Sequence, residues 1–208
     1  NGGKEGVTII HHPDVRRMLL RMRAQVEAMR CLAYEAAGGL DLAKRLTDPD
    51  AKKLAQRRVD LLIPIVKAWS TDVGLEVAST NVQVHGGMGF IEETGAAQHM
   101  RDVRISSIYE GTNGIQSIDL VGRKLGRDGG EAMGQLATEI AQTVESLRGH
   151  DDEDLAAIVA PLAEGLASLE RTTRWMVEHI GQQPGEALAG ATSYMRLAGY
   201  VIGGWYMA

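Results

Sequence analysis

Apolar residues recur at helical spacing over most of this 208-residue chain. From Asp14 onward, Val15, Met18, Leu19, Met22, Val26, Met29 and Ala33 fall three or four apart, which places them on one helix face. Pro13 suits the first helical turn, where its missing N–H costs nothing. Gly38-Gly39 weakens the run, and Lys44 and Arg45 favour its C-terminal end. Thr47-Asp48-Pro49-Asp50 reads as a turn, or as a cap with a new helix start.

A second long stretch, Ala51 to Val84, carries Leu54, Leu61, Ile65, Trp69, Val73, Val77 and Val84 on its apolar face. Pro64 interrupts it. It is expected in the first turn of a helix starting near Leu61, the alternative being a kink. His85 to Phe90 is glycine-dense and is expected to be a tight turn. A short helical piece, Thr94 to Asp102, comes next. Thr112 is a plausible cap for a helix carrying Ile115, Ile118, Leu120, Val121 and Leu125. Gly126 to Gly130 reads as a boundary. Three helices are expected beyond it, near Glu131–Leu147, Asp154–His179 and Gly185–Met207. The small residues of the last one suggest close helix packing. The expected architecture is all-α, an antiparallel helical bundle with short connections.

Composition changes this picture little. Charged residues make up 24% and the formal net charge is −5, which argues against a nucleic-acid binder that relies on general positive charge. Aromatics, at 4%, argue against a sheet-rich fold. One cysteine, Cys31, excludes an internal disulfide framework and a cysteine-based zinc cluster; it reads as a core or near-core thiol. His11, His12, His85 and His99 lack metal-ligand spacing, so no metal site is expected. No apolar run reaches the roughly 20 residues of a membrane span. A soluble setting follows as an expectation, cytoplasmic or, in a eukaryote, the mitochondrial matrix. The polar, glycine-rich start at Asn1–Gly6 reads as a loop from a longer chain. Trp69, Trp175 and Trp205 are expected to anchor helix packing, and Val201–Met207 to dock on the bundle or a partner subunit.

Two segments hold glycines and polar groups that a helix core does not need. In Gln83-Val84-His85-Gly86-Gly87-Met88-Gly89-Phe90, the glycines could simply end a helix. They could equally expose successive backbone N–H groups to a phosphate or pyrophosphate. In Ile108-Tyr109-Glu110-Gly111-Thr112-Asn113-Gly114-Ile115-Gln116, Glu110 could be an acid drawn to a helix N-terminus. In a largely apolar pocket the same carboxylate would have a raised pKa and could abstract a proton.

Gln83–Phe90, Met100-Arg101-Asp102 and Ile108–Gln116 stand in the order of three motifs of the acyl-CoA dehydrogenase C-terminal domain: Gln-x-x-Gly-Gly-x-Gly, Arg-Asp and Tyr-Glu-Gly-Thr. With the His12-Pro13-Asp14-Val15-Arg16-Arg17 opening, the resemblance spans about Pro13 to Leu125. It implies a flavoenzyme that oxidises an acyl-CoA thioester to the trans-2-enoyl form. Glu110 would remove the α-proton while the β-hydrogen leaves as hydride to FAD. The Glu110 N–H would polarise the thioester carbonyl. Tyr109 and Gly111 would line the substrate site beside Glu110. Thr112 and Asn113 would lie near the FAD phosphates. Gln83, Gly86 and Gly87 would approach the adenosine–pyrophosphate half of an FAD held mainly by a neighbouring subunit. Arg101 and Asp102 are expected to form a structural ion pair.

The resemblance further implies a homo-oligomer, dimer or tetramer, and an electron-transfer flavoprotein or similar acceptor as partner. Residues 1–128 would form the family's helical bundle without its first helix, and residues 129–208 a C-terminal helical extension. That extension, with Gly114, Asp119 and Val121-Gly122-Arg123-Lys124, resembles a longer branch of the family that includes the 3-methylmercaptopropionyl-CoA dehydrogenase type. A piece of such an enzyme would lack the β-domain that covers the flavin. It is expected to be inactive alone, without firmly bound FAD, and to leave an apolar helix face uncovered. The competing expectation is a non-catalytic helical domain kept for assembly or interaction.

Overall fold

The computed structural model describes residues 6–208, and the polar start at residues 1–5 lies outside them. Among the described residues every regular element is helical. The helices are α1 (Pro13–Arg45), α2 (Pro49–Val84), α3 (Gly87–Phe90), α4 (Ala96–Arg104), α5 (Asn113–Ile118), α6 (Gly126–Asp128), α7 (Glu131–Leu147), α8 (Glu153–Gln182) and α9 (Pro184–Trp205). Asp119–Leu125 joins α5 to α6 as a π-helical stretch.

α1 and α2 form a long antiparallel pair. Asp48 caps α2 by accepting from the Ala51 N–H at 2.9 Å, and Pro49 opens the first turn. The pair packs closely enough at Gly39 that a Cβ there would lie 2.6 Å from Val59 Cγ2. Gly39 is therefore a packing position inside a continuous helix, while Gly38 beside it faces open space. The apolar stripe expected on α1, from Val15 to Ala33, is only half-buried; the residues fully enclosed are Ala28, Leu32, Ala36 and Ala43.

α2 runs unbroken through Pro64, against the expected restart near Leu61. Pro64 removes one intrahelical bond, but it is buried among Leu61, Leu62 and Ile65, and tertiary packing holds the helix together. Leu54 does not join the buried face; it is 51% exposed. The expected turn at His85–Phe90 is a turn only at His85-Gly86, and Gly87–Phe90 makes one helical turn.

One apolar core joins α1 and α2 to α7, α8 and α9 through Leu120, Val121 and Leu125. Gly129 and Gly130 both take left-handed φ, 64° and 83°, so the chain reverses there. In α9 the small residues serve close approach: Gly199 and Gly203 face the indole of Trp69. Val201 and Ile202 are buried in the bundle. Trp205 donates to Thr143 Oγ1 at 2.8 Å and lies under Arg58. Arg58 in turn reaches Glu35 on α1, Glu139 on α7 and the Tyr206 hydroxyl. Trp175, expected as a packing anchor, lies at the surface stacked on His179 of its own helix, with ring centroids 4.1 Å apart. Cys31 is half-buried and free.

Candidate functional site

The Tyr109–Asn113 segment takes its shape from α2. Among the described residues, Glu110 is the one non-glycine with positive φ, at 54°. Holding an L-residue there costs about 1–2 kcal/mol, so neighbouring contacts must impose it. Gly111 follows at φ 86°. Gln116 Nε2 donates to the Glu110 carbonyl at 3.3 Å. Lys67 Nζ on α2 donates to the Gly111 carbonyl at 2.7 Å and to Asn113 Oδ1 at 2.8 Å. Thr112 accepts from the Ile115 N–H at 3.3 Å and so caps α5 as expected.

Asn113 is buried and its side-chain amide is turned inward. Nδ2 donates to Asp72 Oδ1 at 2.7 Å, Thr71 Oγ1 at 2.9 Å and the Ala68 carbonyl at 3.1 Å. Desolvation holds the Lys67 ammonium below the ordinary lysine pKa, and the charge of Asp72 opposes that shift. The short loop is thus sewn to two successive turns of α2, Lys67–Ala68 and Thr71–Asp72. Sequence reasoning missed Lys67, Thr71 and Asp72. Their one signal is that Lys67 and Ser70-Thr71-Asp72 flank the buried Ala68-Trp69 within an otherwise apolar stretch of α2.

Glu110, Tyr109 and Thr112 are exposed, and Gly111 is half-exposed. An enclosing apolar pocket around the Glu110 carboxylate is therefore not formed by these residues alone. The surroundings are nonetheless apolar at the surface: Ile105, Ile108, Tyr109, Ile115 and Ile118 are all large exposed side chains.

The glycine turn lies elsewhere. Gln83 is exposed near the end of α2, beside a shallow cavity of about 310 Å³ lined by Arg17, Met18, Arg21, Ser79 and Thr80. Gly86 takes φ 61°, and neither Gly86 nor Gly87 has any atom within 4 Å of where a Cβ would stand. Their backbone is open to a ligand. The first N–H groups of the turn at Gly87 lack intrahelical acceptors by geometry. At a rise of ~1.5 Å per residue, Gly86 lies roughly 28 Å along α2 from Lys67. The two candidate segments therefore sit on one helix but not in one pocket. Arg101 and Asp102 do not pair: Arg101 bonds Glu92 at 2.6 Å, while Asp102 accepts from Gln98, one turn back on its own helix.

Among the described residues no group of three or more His, Cys, Asp or Glu could hold a metal ion, and no helix is long and apolar enough to cross a membrane.

The family model described as "Acyl-CoA dehydrogenase, C-terminal domain" matches residues 3–125, and one described as "Acetyl-CoA dehydrogenase C-terminal like" matches residues 136–208. The chain is 45% identical to a 3-methylmercaptopropionyl-CoA dehydrogenase of Ruegeria pomeroyi over 98% of its own length and 34% of that protein's. It is 32% identical to the broad-specificity linear acyl-CoA dehydrogenase FadE5 of Mycobacterium tuberculosis, over 97% of this chain and 34% of that one. It therefore spans about a third of the length of these relatives. Its fold is similar to that of Caenorhabditis elegans ACDH-11, solved in complex with C11-CoA, with TM-score 0.75 at 20% identity, covering 96% of this chain and 33% of that one. An acyl-CoA dehydrogenase of Bacillus anthracis complexed with FAD gives TM-score 0.71 at 19% identity, covering 97% and 36% respectively. With the motifs, the all-helical bundle and these matches together, the chain belongs to the acyl-CoA dehydrogenase family, of which it carries the C-terminal helical region.

Proposed function

We propose that these residues supply the proton-abstracting base of a flavin-dependent acyl-CoA dehydrogenase, with Glu110 as that base. The observation that carries the reading is the backbone of Glu110. An acid that needed only a helix dipole would gain nothing from a left-handed conformation, yet Glu110 is held in one by bonds to its own carbonyl and to that of Gly111. The exposed apolar side chains around it suit the alkyl part of a thioester substrate once the rest of the enzyme closes over them.

Within that reading, Glu110 takes the proton α to the thioester carbonyl, and its own N–H donates to the carbonyl oxygen where enolate charge develops. Tyr109 and Gly111 line the substrate beside it. FAD, when bound, supplies the acceptor for the two electrons. The donor set fits such a group: neutral amides, a hydroxyl and open glycine backbone suit phosphate oxygens and a polar ring. Thr112 would approach the FAD phosphates beside Glu110, while Gln83, Gly86 and Gly87, far along α2, would hold the adenosine–pyrophosphate half of an FAD held mainly by a neighbouring subunit. Asn113, its side chain committed to α2, would serve through its backbone and by fixing the loop. We further propose the 3-methylmercaptopropionyl-CoA type of substrate, on the 45% identity across nearly the whole chain. A homo-oligomer and an electron-transfer flavoprotein partner belong to the same proposal.

The test uses the complete protein that contains these residues. It should be yellow and bleach on adding its acyl-CoA. Glu110→Gln should abolish the bleaching while the colour persists. Bleaching that survives the change removes Glu110 from the role. A colourless, inactive complete protein would favour a helical domain kept for assembly.

A further inference from the structure

We propose that Lys67 is a positioning residue, which with Asn113 clamps the Tyr109–Asn113 loop to α2 and so fixes Glu110 for proton transfer. The inference rests on the reading of Glu110 as the base. Its own support is geometric. Lys67 reaches across from α2, 44 residues away in sequence, to the carbonyl of Gly111, the residue after Glu110. The same ammonium holds Asn113 Oδ1, and Asn113 Nδ2 returns to α2 at Ala68, Thr71 and Asp72. The Gly111 carbonyl and the Asn113 side chain are both bonded to α2, so the Gly111–Thr112 peptide has little freedom to rotate, and Gln116 holds the Glu110 carbonyl beside it. Asp72 supplies a countercharge through Asn113, which keeps a half-buried ammonium tolerable.

The purpose follows from the cost of the Glu110 conformation. A left-handed glutamate relaxes unless its neighbours hold it. A charged donor on a carbonyl is among the stronger hydrogen bonds available for that. A lysine that merely satisfied its own charge could have stayed in water at the end of its flexible stem. Relaxation of the loop would move the carboxylate by about an ångström, and a misplacement of that size costs on the order of 100-fold in rate.

The test compares Lys67→Met, Lys67→Arg and Glu110→Gln in the complete, FAD-loaded protein. Hydrogen exchange is measured at the amides of residues 109–116, and flavin bleaching at saturating acyl-CoA. Lys67→Met is expected to speed exchange in that segment at least roughly tenfold, with α8 unchanged. It should slow bleaching roughly 10- to 100-fold, with substrate affinity changed less than about threefold. Lys67→Arg, which keeps the charge, should recover part of both. Should Lys67→Met fail to fold, Asn113→Ala removes the other half of the clamp and is read the same way. Exchange within about twofold of the parent in these variants overturns the proposal. So does faster exchange with an unchanged bleaching rate. Glu110→Gln separates the two readings: bleaching lost there but untouched by Lys67→Met overturns the clamp alone. Bleaching that persists in Glu110→Gln overturns the role of Glu110, and the purpose of the clamp with it.

Discussion

Gly199→Ala tests whether the bundle is held by close approach of α9 to Trp69. Trp69 is 2% exposed at the centre of the core, and its ring meets Tyr200 edge-on at 5.5 Å. A Cβ at position 199 would run into the Trp69 Cγ, Cδ1 and Cβ atoms. Those are the root of the side chain, which cannot swing aside without moving the backbone of α2. Overpacking of this kind costs about 1–3 kcal/mol, and the upper end applies where the clash is with the root. Helix propensity returns about 1 kcal/mol for replacing glycine by alanine. The net is a loss of about 2 kcal/mol, or roughly 4–8 °C in melting temperature for a chain of this length. Thermal and urea unfolding, followed by tryptophan fluorescence, reads it. Two comparisons make the test specific. Gly134→Ala, at a helical glycine with no atom within 4 Å of its Cβ position, should gain about 0.5–1 kcal/mol. In a Trp69→Ala background the nearest clashing atoms, Cγ and Cδ1, are gone, so Gly199→Ala should cost clearly less there than in the parent. A Gly199→Ala chain that melts with the parent, or an equal cost in both backgrounds, would refute the account.

Two further outcomes follow. Burial raises the Tyr206 hydroxyl from 10.0 to about 12, and burial also raises that of Tyr194, so the folded state binds these protons more tightly than the unfolded one. The tyrosine contribution to stability should be level below about pH 10 and fall as pH rises from there through the folded-state values; calorimetry between pH 8 and 12 reads the slope, and Tyr206→Phe should flatten its lower part. Arg101→Ala, which removes an ion pair with Glu92 at side chains 53% and 73% exposed, should change the urea midpoint by the equivalent of less than about 0.5 kcal/mol.

Local chemistry was legible in this sequence and long-range pairing was not. The helical periodicity, the Thr112 cap, the turn or cap within Thr47–Asp50 and the boundary over Gly126–Gly130 depend on residues close in sequence; the structure narrows the Thr47–Asp50 segment to a cap at Asp48 and the boundary to a reversal at Gly129-Gly130. Pro64 shows the limit. Its local rule predicts a break, and a buried position in the core overrides it. Arg101 shows another: the adjacent Asp102 made an obvious partner on paper. Consecutive residues on a helix point some 100° apart, however, and Glu92 across the preceding turn is the one within reach. Trp175 reads in sequence as a packing anchor, yet it is 36% exposed and stacks on His179 of its own helix. The candidate site divides the same way. Glu110 and its flanking glycine stand out because they are unusual beside a helix start. Lys67 looks in sequence like any cation on an amphipathic helix, because its partners are 44 and 46 residues away. Periodicity reports which way a side chain faces its own helix axis. It does not report what another helix presents at that spot, and the contacts that hold the loop in place are of that second kind.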